Sequence, residues 1–242
     1  MKNKLDWQNK KEAVRLNKYL SEAGICSRRE ADKLIAKGEI FVDGMRAEVG
    51  TVVMPHQTVH FGKKIVYRHE KPVVLMVNKP AGIVCTEERR ERNSIIRFLN
   101  YPTRITYAGR LDKDSKGLLL MTNNGDLINQ MMRARNFHEK EYKVTVTKAL
   151  TDDFLEQMGK GVAILNTVTR PCPIEKIGTY TFVIVLTQGL NRQIRRMCEA
   201  LGYQVKELIR TRIVNITLGN LKEGAYRELT EEELCGLWER IS

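Results

Sequence analysis

From residue 14 onward the chain switches repeatedly between helical and extended hydrophobic spacing. Leu16, Leu20 and Ala23 recur at the interval that puts side chains on one face of a helix, and Gly24 closes that helix. Ser27-Arg28-Arg29-Glu30 has the form of a capping box and opens a second helix, with Ala31, Leu34 and Ile35 inward and Gly38 at its end. Ile40-Phe41-Val42 followed by Asp43-Gly44 predicts a strand and a hairpin turn, and residues 51–54 and 58–61 predict further short strands. Residues 63–72 are charged and end in Pro72, the pattern of a linker.

The pattern changes after the linker. Residues 73–77 form a continuous apolar strand stopped by Asn78-Lys79-Pro80-Ala81-Gly82; residues 83–86 are extended again, and residues 87–93 are a charged loop. Ser94 caps a short helix carrying Ile95, Ile96, Phe98 and Leu99. Residues 105–107 and the apolar run 118–122 predict strands. Asn123-Asn124-Gly125 then turns the chain into a helix whose Leu127, Ile128, Met131 and Met132 read as core. Residues 141–147 alternate as a strand, Thr151 caps a helix with Asp152 and Asp153 in its first turn, and residues 181–187 are strongly β-prone. A helix over 192–201 ends at Gly202, strands return over 203–216, and Thr230-Glu231-Glu232-Glu233 is a second capping box before a last helix with Leu234, Leu237 and Ile241 inward. Strands and short helices alternate irregularly, without βαβ periodicity. The expected fold class is therefore α+β: a small unit over 14–62, a linker over 63–72 and a mixed, mainly antiparallel-sheet domain over 73–242.

Charge narrows the partners. Forty-one Lys and Arg against 29 Asp and Glu leave a net charge of +12, which calls for an anionic partner, and nucleic acid fits better than membrane because no basic amphipathic anchor stands out. The first dozen residues, rich in Lys, Asn and Gln, read as a disordered or loosely docked basic arm. No apolar run is long enough to span a bilayer and the N-terminus lacks a signal-peptide core, so a cytoplasmic protein is expected. Five scattered cysteines without a C-x-x-C pair read as reduced thiols, and four histidines without zinc-finger spacing predict no metal. Neither a G-x-G-x-x-G turn nor a Walker-type loop is present, so no nucleotide cofactor is expected and side chains must carry the chemistry.

Two placements are unusual for structure alone. Arg28 and Arg29 occupy the first turn of a helix, where the backbone dipole favours acids; with Arg15, Lys18, Lys33 and Lys37 they form a basic face suited to phosphate oxygens. The same charges also fit an ordinary solvated face. Helix, helix and Asp-Gly hairpin together resemble the alpha-L RNA-binding domain over roughly residues 14–61. The second placement is Gly109-Arg110-Leu111-Asp112-Lys113-Asp114-Ser115-Lys116, a polar loop running into an apolar strand. Arg110, Lys113 and Lys116 would favour the ionised form of Asp112 and hold an anionic substrate over it, while a plain turn aspartate before a buried strand fits the spacing equally well.

Two further segments bear on that choice: Lys140-Glu141-Tyr142, and Asn191-Arg192-Gln193-Ile194-Arg195-Arg196-Met197, where Arg195 flanks the apolar face of a helix and can reach a partly buried carboxylate. Together with Gly117-Leu118-Leu119-Leu120 and Thr122, these motifs resemble the RsuA-type RNA pseudouridine synthases, most nearly the RluF group. Asn78-Lys79-Pro80-Ala81-Gly82 fits the same family, and the likeness runs from Val14 to the C-terminus. The resemblance implies isomerisation of uridine in ribosomal RNA, with the large subunit favoured. It implies Asp112 as the essential carboxylate, adding to the ribose or abstracting a sugar proton, Arg195 as its ion-pair partner and Tyr142 stacked on a flipped-out base. No atoms are lost in the reaction, so no cofactor is implied. Arg110, Leu111, Lys113, Arg192 and Gln193 are expected to meet the RNA, alongside Arg15, Lys18, Arg28, Arg29 and Lys33 of the first unit. A monomer is expected, with transfer RNA as a further possible substrate. The rival readings are a pseudouridine synthase acting on small-subunit ribosomal RNA, a non-catalytic ribosomal-RNA-binding assembly factor, and a nucleoside or sugar hydrolase using Asp114 or Asp126 as a second carboxylate.

Overall fold

The structure is a computed structural model and describes residues 13–68, 72–88, 90–132 and 137–242. The expectation of a basic N-terminal arm lies outside the described residues. The chain divides into two compact units, the first running to Val73 and taking in Tyr101–Ile105 and Asn123–Gly125, the second comprising Val74–Asn100, Thr106–Thr122 and Asp126–Ser242.

In the first unit, helices Leu16–Glu22 and Arg28–Lys37 pack beside a four-stranded antiparallel sheet ordered Met45–Arg46, Ile40–Val42, Val59–Phe61, Lys64–Val66. The Ser27 hydroxyl accepts from the Glu30 amide at 3.2 Å, satisfying one of the free N–H groups that open the second helix. Asp43 and Gly44 take φ of 49° and 81°, the two left-handed positions that a two-residue hairpin with native twist requires. Leu16, Leu20, Ala31, Ile35, Ile40 and Val59 meet in a closed core. The segment expected as a linker contributes Lys64–Val66 to this sheet, with Val66 in the core. Its lysines masked a strand in which only one side chain turns inward.

The second unit is built on one sheet of nine strands among the described residues. Its main order is Ile174–Lys176, Thr181–Leu186, Lys140–Val146, Val205–Ile213, Lys116–Thr122, Val74–Lys79, Tyr226–Glu228, with Ile216–Thr217 and Thr106–Tyr107 as side branches. All pairs are antiparallel except Val205–Ile213 with Lys116–Thr122. Both faces are covered, as a sheet with long apolar runs demands. On one, Val144, Val146, Phe182, Ile184 and Leu208 pack with Phe154 and Met158 of helix Asp152–Lys160 and with Ile194, Met197 and Cys198 of helix Gln193–Ala200. On the other, Val74, Met76, Leu118 and Leu120 pack with Leu127, Met131, Leu237 and Ile241.

Several local expectations change. Asn78 and Lys79 belong to the strand Val74–Lys79 instead of the turn after it, because pairing continues to Lys79 opposite Gly117. Met131 is core but Met132 is 58% exposed, a helix position later and off the apolar stripe. Ile174–Lys176 and Tyr226–Glu228 are edge strands without hydrophobic alternation, and this is why the pattern did not mark them. The Thr230 capping box forms in full, with its hydroxyl accepting from the Glu233 amide and the Glu233 carboxylate accepting from the Thr230 amide.

Candidate active site

The loop from Arg110 to Ser115 leads into the central strand Lys116–Thr122, and nearly every residue in it is tied down. The Arg110 carbonyl accepts from Arg210 Nη1 at 3.2 Å and the Leu111 amide points at Cys85 Sγ at 3.5 Å. The Asp112 carbonyl accepts from the Ser115 amide at 3.1 Å, closing a turn, and the Lys113 carbonyl accepts from the Gly82 amide at 2.7 Å. Leu111 and Ser115 point inward, and Asp112 is half-buried between them in sequence. Among the described residues no side chain hydrogen-bonds or ion-pairs with the Asp112 carboxylate. A fixed backbone carrying an uncommitted carboxylate leaves that group available to act, whereas a turn aspartate would spend its oxygens on nearby amides.

The ion pair expected for Asp112 falls on Asp114. Arg192 Nη1 and Nη2 donate to the two Asp114 carboxylate oxygens, each at 3.1 Å, while Arg195 Nε lies 3.2 Å from Oδ2 at ion-pair distance without hydrogen-bond geometry. Arg195 also donates from Nη2 to the Asp114 carbonyl at 3.0 Å and from Nη1 to the Val205 carbonyl at 3.3 Å. Its side chain is 14% exposed, so the flank position allowed the contact while the stem packs. Burial alone would raise the Asp114 carboxyl; the Arg192 hydrogen bonds and the two guanidinium charges outweigh it and hold the group below the usual carboxylate range. Lys116, expected to act on Asp112, is engaged by Glu207 and Glu223 at 3.2 and 3.3 Å.

Gln193 is buried, its amide nitrogen 3.8 Å from Met197 Sδ and its oxygen accepting from the Leu190 amide. Arg192 stands before the helix with φ of 50°, and this left-handed step turns Gln193 inward. Leu111 is buried too. The side chains of Leu111 and Gln193, both expected to meet the RNA, are thus buried in this conformation. Arg110 and Lys113 are exposed at the loop. In the first unit Arg15, Arg28, Arg29, Lys33 and Lys37 are exposed, whereas Lys18 is half-buried and ion-paired with Glu22 at 3.6 Å.

Cross-strand registers line up one row across the sheet: Lys79 opposite Gly117, Gly117 opposite Arg210, Arg210 opposite Tyr142. Tyr142 is half-buried against the apolar cluster under helix Gln193–Ala200. Lys79 and Arg210 are essentially closed off from solvent. Lys79 Nζ donates to the carbonyls of Pro80 and Ile83 at 2.8 and 2.9 Å, fixing the turn whose Gly82 holds Lys113. Burial lowers the Lys79 ammonium below its ordinary range, an effect partly offset by Cys85, Asp114 and Asp112. Burial, aided by the Arg210 charge, brings Lys140 down to about 8. Sequence reasoning missed Lys79, Arg210 and the structural part of Asp114. Parity could have found two of them: Lys79 follows Leu75 and Val77, and Arg210 follows Leu208, at the two-residue interval of an inward face.

Residues 73–200 match the RNA pseudouridylate synthase family, and residues 14–59 match the S4 domain. The dual-specificity RNA pseudouridine synthase RluF of Escherichia coli K12 is 50% identical over 231 residues, covering 95% of this chain and 80% of that one. Ribosomal small subunit pseudouridine synthase A of the same organism is 34% identical, over 93% of this chain and the whole of that protein. A crystal structure of a pseudouridylate synthase superposes with a TM-score of 0.68 at 29% identity, covering 93% of this chain and 99% of that one. A loop with one paired and one unpaired carboxylate on a mainly antiparallel sheet, preceded by a basic two-helix unit and matched by relatives over nearly its full length, leads to one conclusion: the chain belongs to the RNA pseudouridine synthase family, in its RsuA-type branch with an N-terminal S4 domain.

Proposed function

We propose that this enzyme isomerises a uridine of large-subunit ribosomal RNA, with Asp112 as the essential carboxylate. The observation carrying the reading is that carboxylate: half-buried, on a backbone held at each step, and without a partner among the described residues, while its neighbour Asp114 absorbs both arginines. Isomerisation breaks the bond from N1 of uracil to the ribose, turns the base and rejoins it through C5, so one group must act at the sugar or at the base. Asp112 fits that role by adding to the ribose or taking a sugar proton. Tyr142 stacks on the flipped base, and Arg195 acts through Asp114 by holding the loop in place. Arg110 and Lys113 grip the flanking backbone, while Arg15, Arg28, Arg29 and Lys33 supply salt-sensitive affinity.

Large-subunit RNA is favoured because the relative named for the small subunit is the more distant one, at 34% identity against 50% for RluF. The word dual-specificity in the name of the nearer relative supports a second RNA substrate, of which transfer RNA is the candidate. The enzyme works as a cytoplasmic monomer, with an RNA-binding domain that runs from residue 14 through the strand Lys64–Val66 and a catalytic domain over 73–242. No helix among the described residues is long and apolar enough to cross a membrane. The test is Asp112→Asn, assayed by release of tritium from C5 of labelled uridine in a large-subunit ribosomal RNA transcript. Release should vanish while the RNA still binds; tritium release at the parent rate would rule out Asp112.

A further inference from the structure

One arginine joins the elements of the site. Arg210 Nε donates to the Leu118 carbonyl at 2.7 Å and Nη1 to the Arg110 carbonyl at 3.2 Å, so a single guanidinium closes the two ends of the loop that carries Asp112. Its backbone stands opposite Gly117 on one side and Tyr142 on the other, placing it between the loop and the tyrosine strand. Gly117 has no side chain to part these strands, and a Cβ there would lie 2.4 Å from the Arg210 carbonyl oxygen. Arg210 is 2% exposed, yet among the described residues it has no ion-pair partner, and its Nη2 is buried without a hydrogen bond.

A fold selected for stability alone has little use for that arrangement. Burying an unpaired charge costs several kcal/mol, and an unfilled buried donor adds about 1–3 kcal/mol. An apolar residue at an inward strand position would avoid both costs. The charge is next to two others on the same row or beside it, Lys79 and Lys140, both coupled to it electrostatically. The acids that act on Lys79 are Asp112 and Asp114, and Asp114 is already occupied by Arg192 and Arg195. The uncommitted anion that acts on this buried positive row, through Lys79, is Asp112.

We propose that Arg210 is a positioning residue of the isomerisation: it clamps both ends of the Asp112 loop against the strand of Tyr142 and sets the carboxylate where the ribose arrives. This rests on the reading of Asp112 as the essential carboxylate. The mechanism is geometric. Removing the clamp frees the Arg110 and Leu118 carbonyls together, and a displacement of about 1 Å at a reacting group can cost on the order of 100-fold in rate.

The experiment compares Arg210→Met, Arg210→Lys and Asp112→Asn with the parent enzyme. It reads single-turnover tritium release from the same C5-labelled transcript, RNA affinity by filter binding, and folding by circular dichroism. Arg210→Met is expected to lose about 100-fold in the single-turnover rate with affinity within about threefold of the parent. Arg210→Lys keeps the charge and one clamp bond and should recover part of that loss. A rate within about threefold of the parent in folded Arg210→Met overturns the proposal. So does a rate that falls only in step with the folded fraction or with RNA affinity, which would assign Arg210 to the fold. If Arg210→Met does not fold, Arg210→Lys is judged by the same criteria, and failure of both to fold overturns the proposal. An active Asp112→Asn would instead sink the Asp112 reading, whereas an inactive Asp112→Asn beside a fully active Arg210→Met fails the Arg210 proposal alone.

Discussion

Replacing Gly117 with alanine tests how closely the two strands approach beneath the loop. Gly117 has φ of +100°, and its added Cβ would lie 2.4 Å from the Arg210 carbonyl oxygen, 2.8 Å from the Arg210 nitrogen and 2.9 Å from Ile209 Cγ2. Two of these neighbours are backbone of the adjacent parallel strand and cannot swing away. Gly109, at the other end of the same loop, has φ of +93° with nothing within 4 Å of the added atom. Both substitutions carry the conformational cost of a positive φ, about 1–2 kcal/mol. Only Gly117→Ala must also part the strands, and that overpacking adds about 1–3 kcal/mol. The expected losses are therefore about 1–2 kcal/mol for Gly109→Ala and about 2–5 kcal/mol for Gly117→Ala. Urea unfolding followed by Trp238 fluorescence, in a Trp7→Phe background, reports on the unit that holds both glycines. Equal losses for the two variants would refute the close approach and the Arg210 row built on it.

Three other outcomes follow from the contacts described. Asp114→Asn removes a half-exposed bidentate pair with Arg192 and the ion pair of the more buried Arg195; discounted for solvent, about 1.4 kcal/mol of loop order is lost, so the single-turnover rate should fall roughly tenfold with RNA affinity little changed. An unchanged rate would mean that the loop holds without this pair. Glu233, hydrogen-bonded by Arg227 at 2.7 Å and drawn down to about 2 despite partial burial, contributes stability that is present above its ordinary value of 4.5 and lost as pH falls through about 2. Glu233→Gln should flatten the pH dependence of urea stability in that window by about 1–2 kcal/mol, after allowance for solvent screening; a superimposable pH profile would contradict the assignment. Finally, Arg28→Ala with Arg29→Ala should weaken RNA binding and reduce the slope of log affinity against log salt by up to about 1.4, since each phosphate contact to single-stranded RNA contributes about 0.7. A slope equal to the parent's would place those arginines away from phosphate.

Local chemistry was enough for the elements whose signals are carried by neighbouring residues. Ser27, Ser94, Thr151 and Thr230 each cap the helix they were expected to open, and Asp43-Gly44 makes its hairpin, because a cap or a two-residue turn is decided within four residues of chain. The ordered motifs around Asp112, Tyr142 and Arg195 also carry the family resemblance on their own. Partnership across the sheet was not legible. Asp112 and Asp114 are both short acids in a basic loop, and only the placement of helix Gln193–Ala200 decides that the two arginines take Asp114 and leave Asp112 open. Burial of Gln193 turned on one left-handed residue at Arg192, which the periodicity of the helix cannot reveal. The Lys79, Gly117, Arg210, Tyr142 row joins residues far apart in sequence through strand register, a property of long-range pairing that no single segment contains. The chain by itself determined which chemistry is present. The tertiary structure decided which carboxylate is left unpaired, because charge pairing is settled by distance in space and not by distance along the chain.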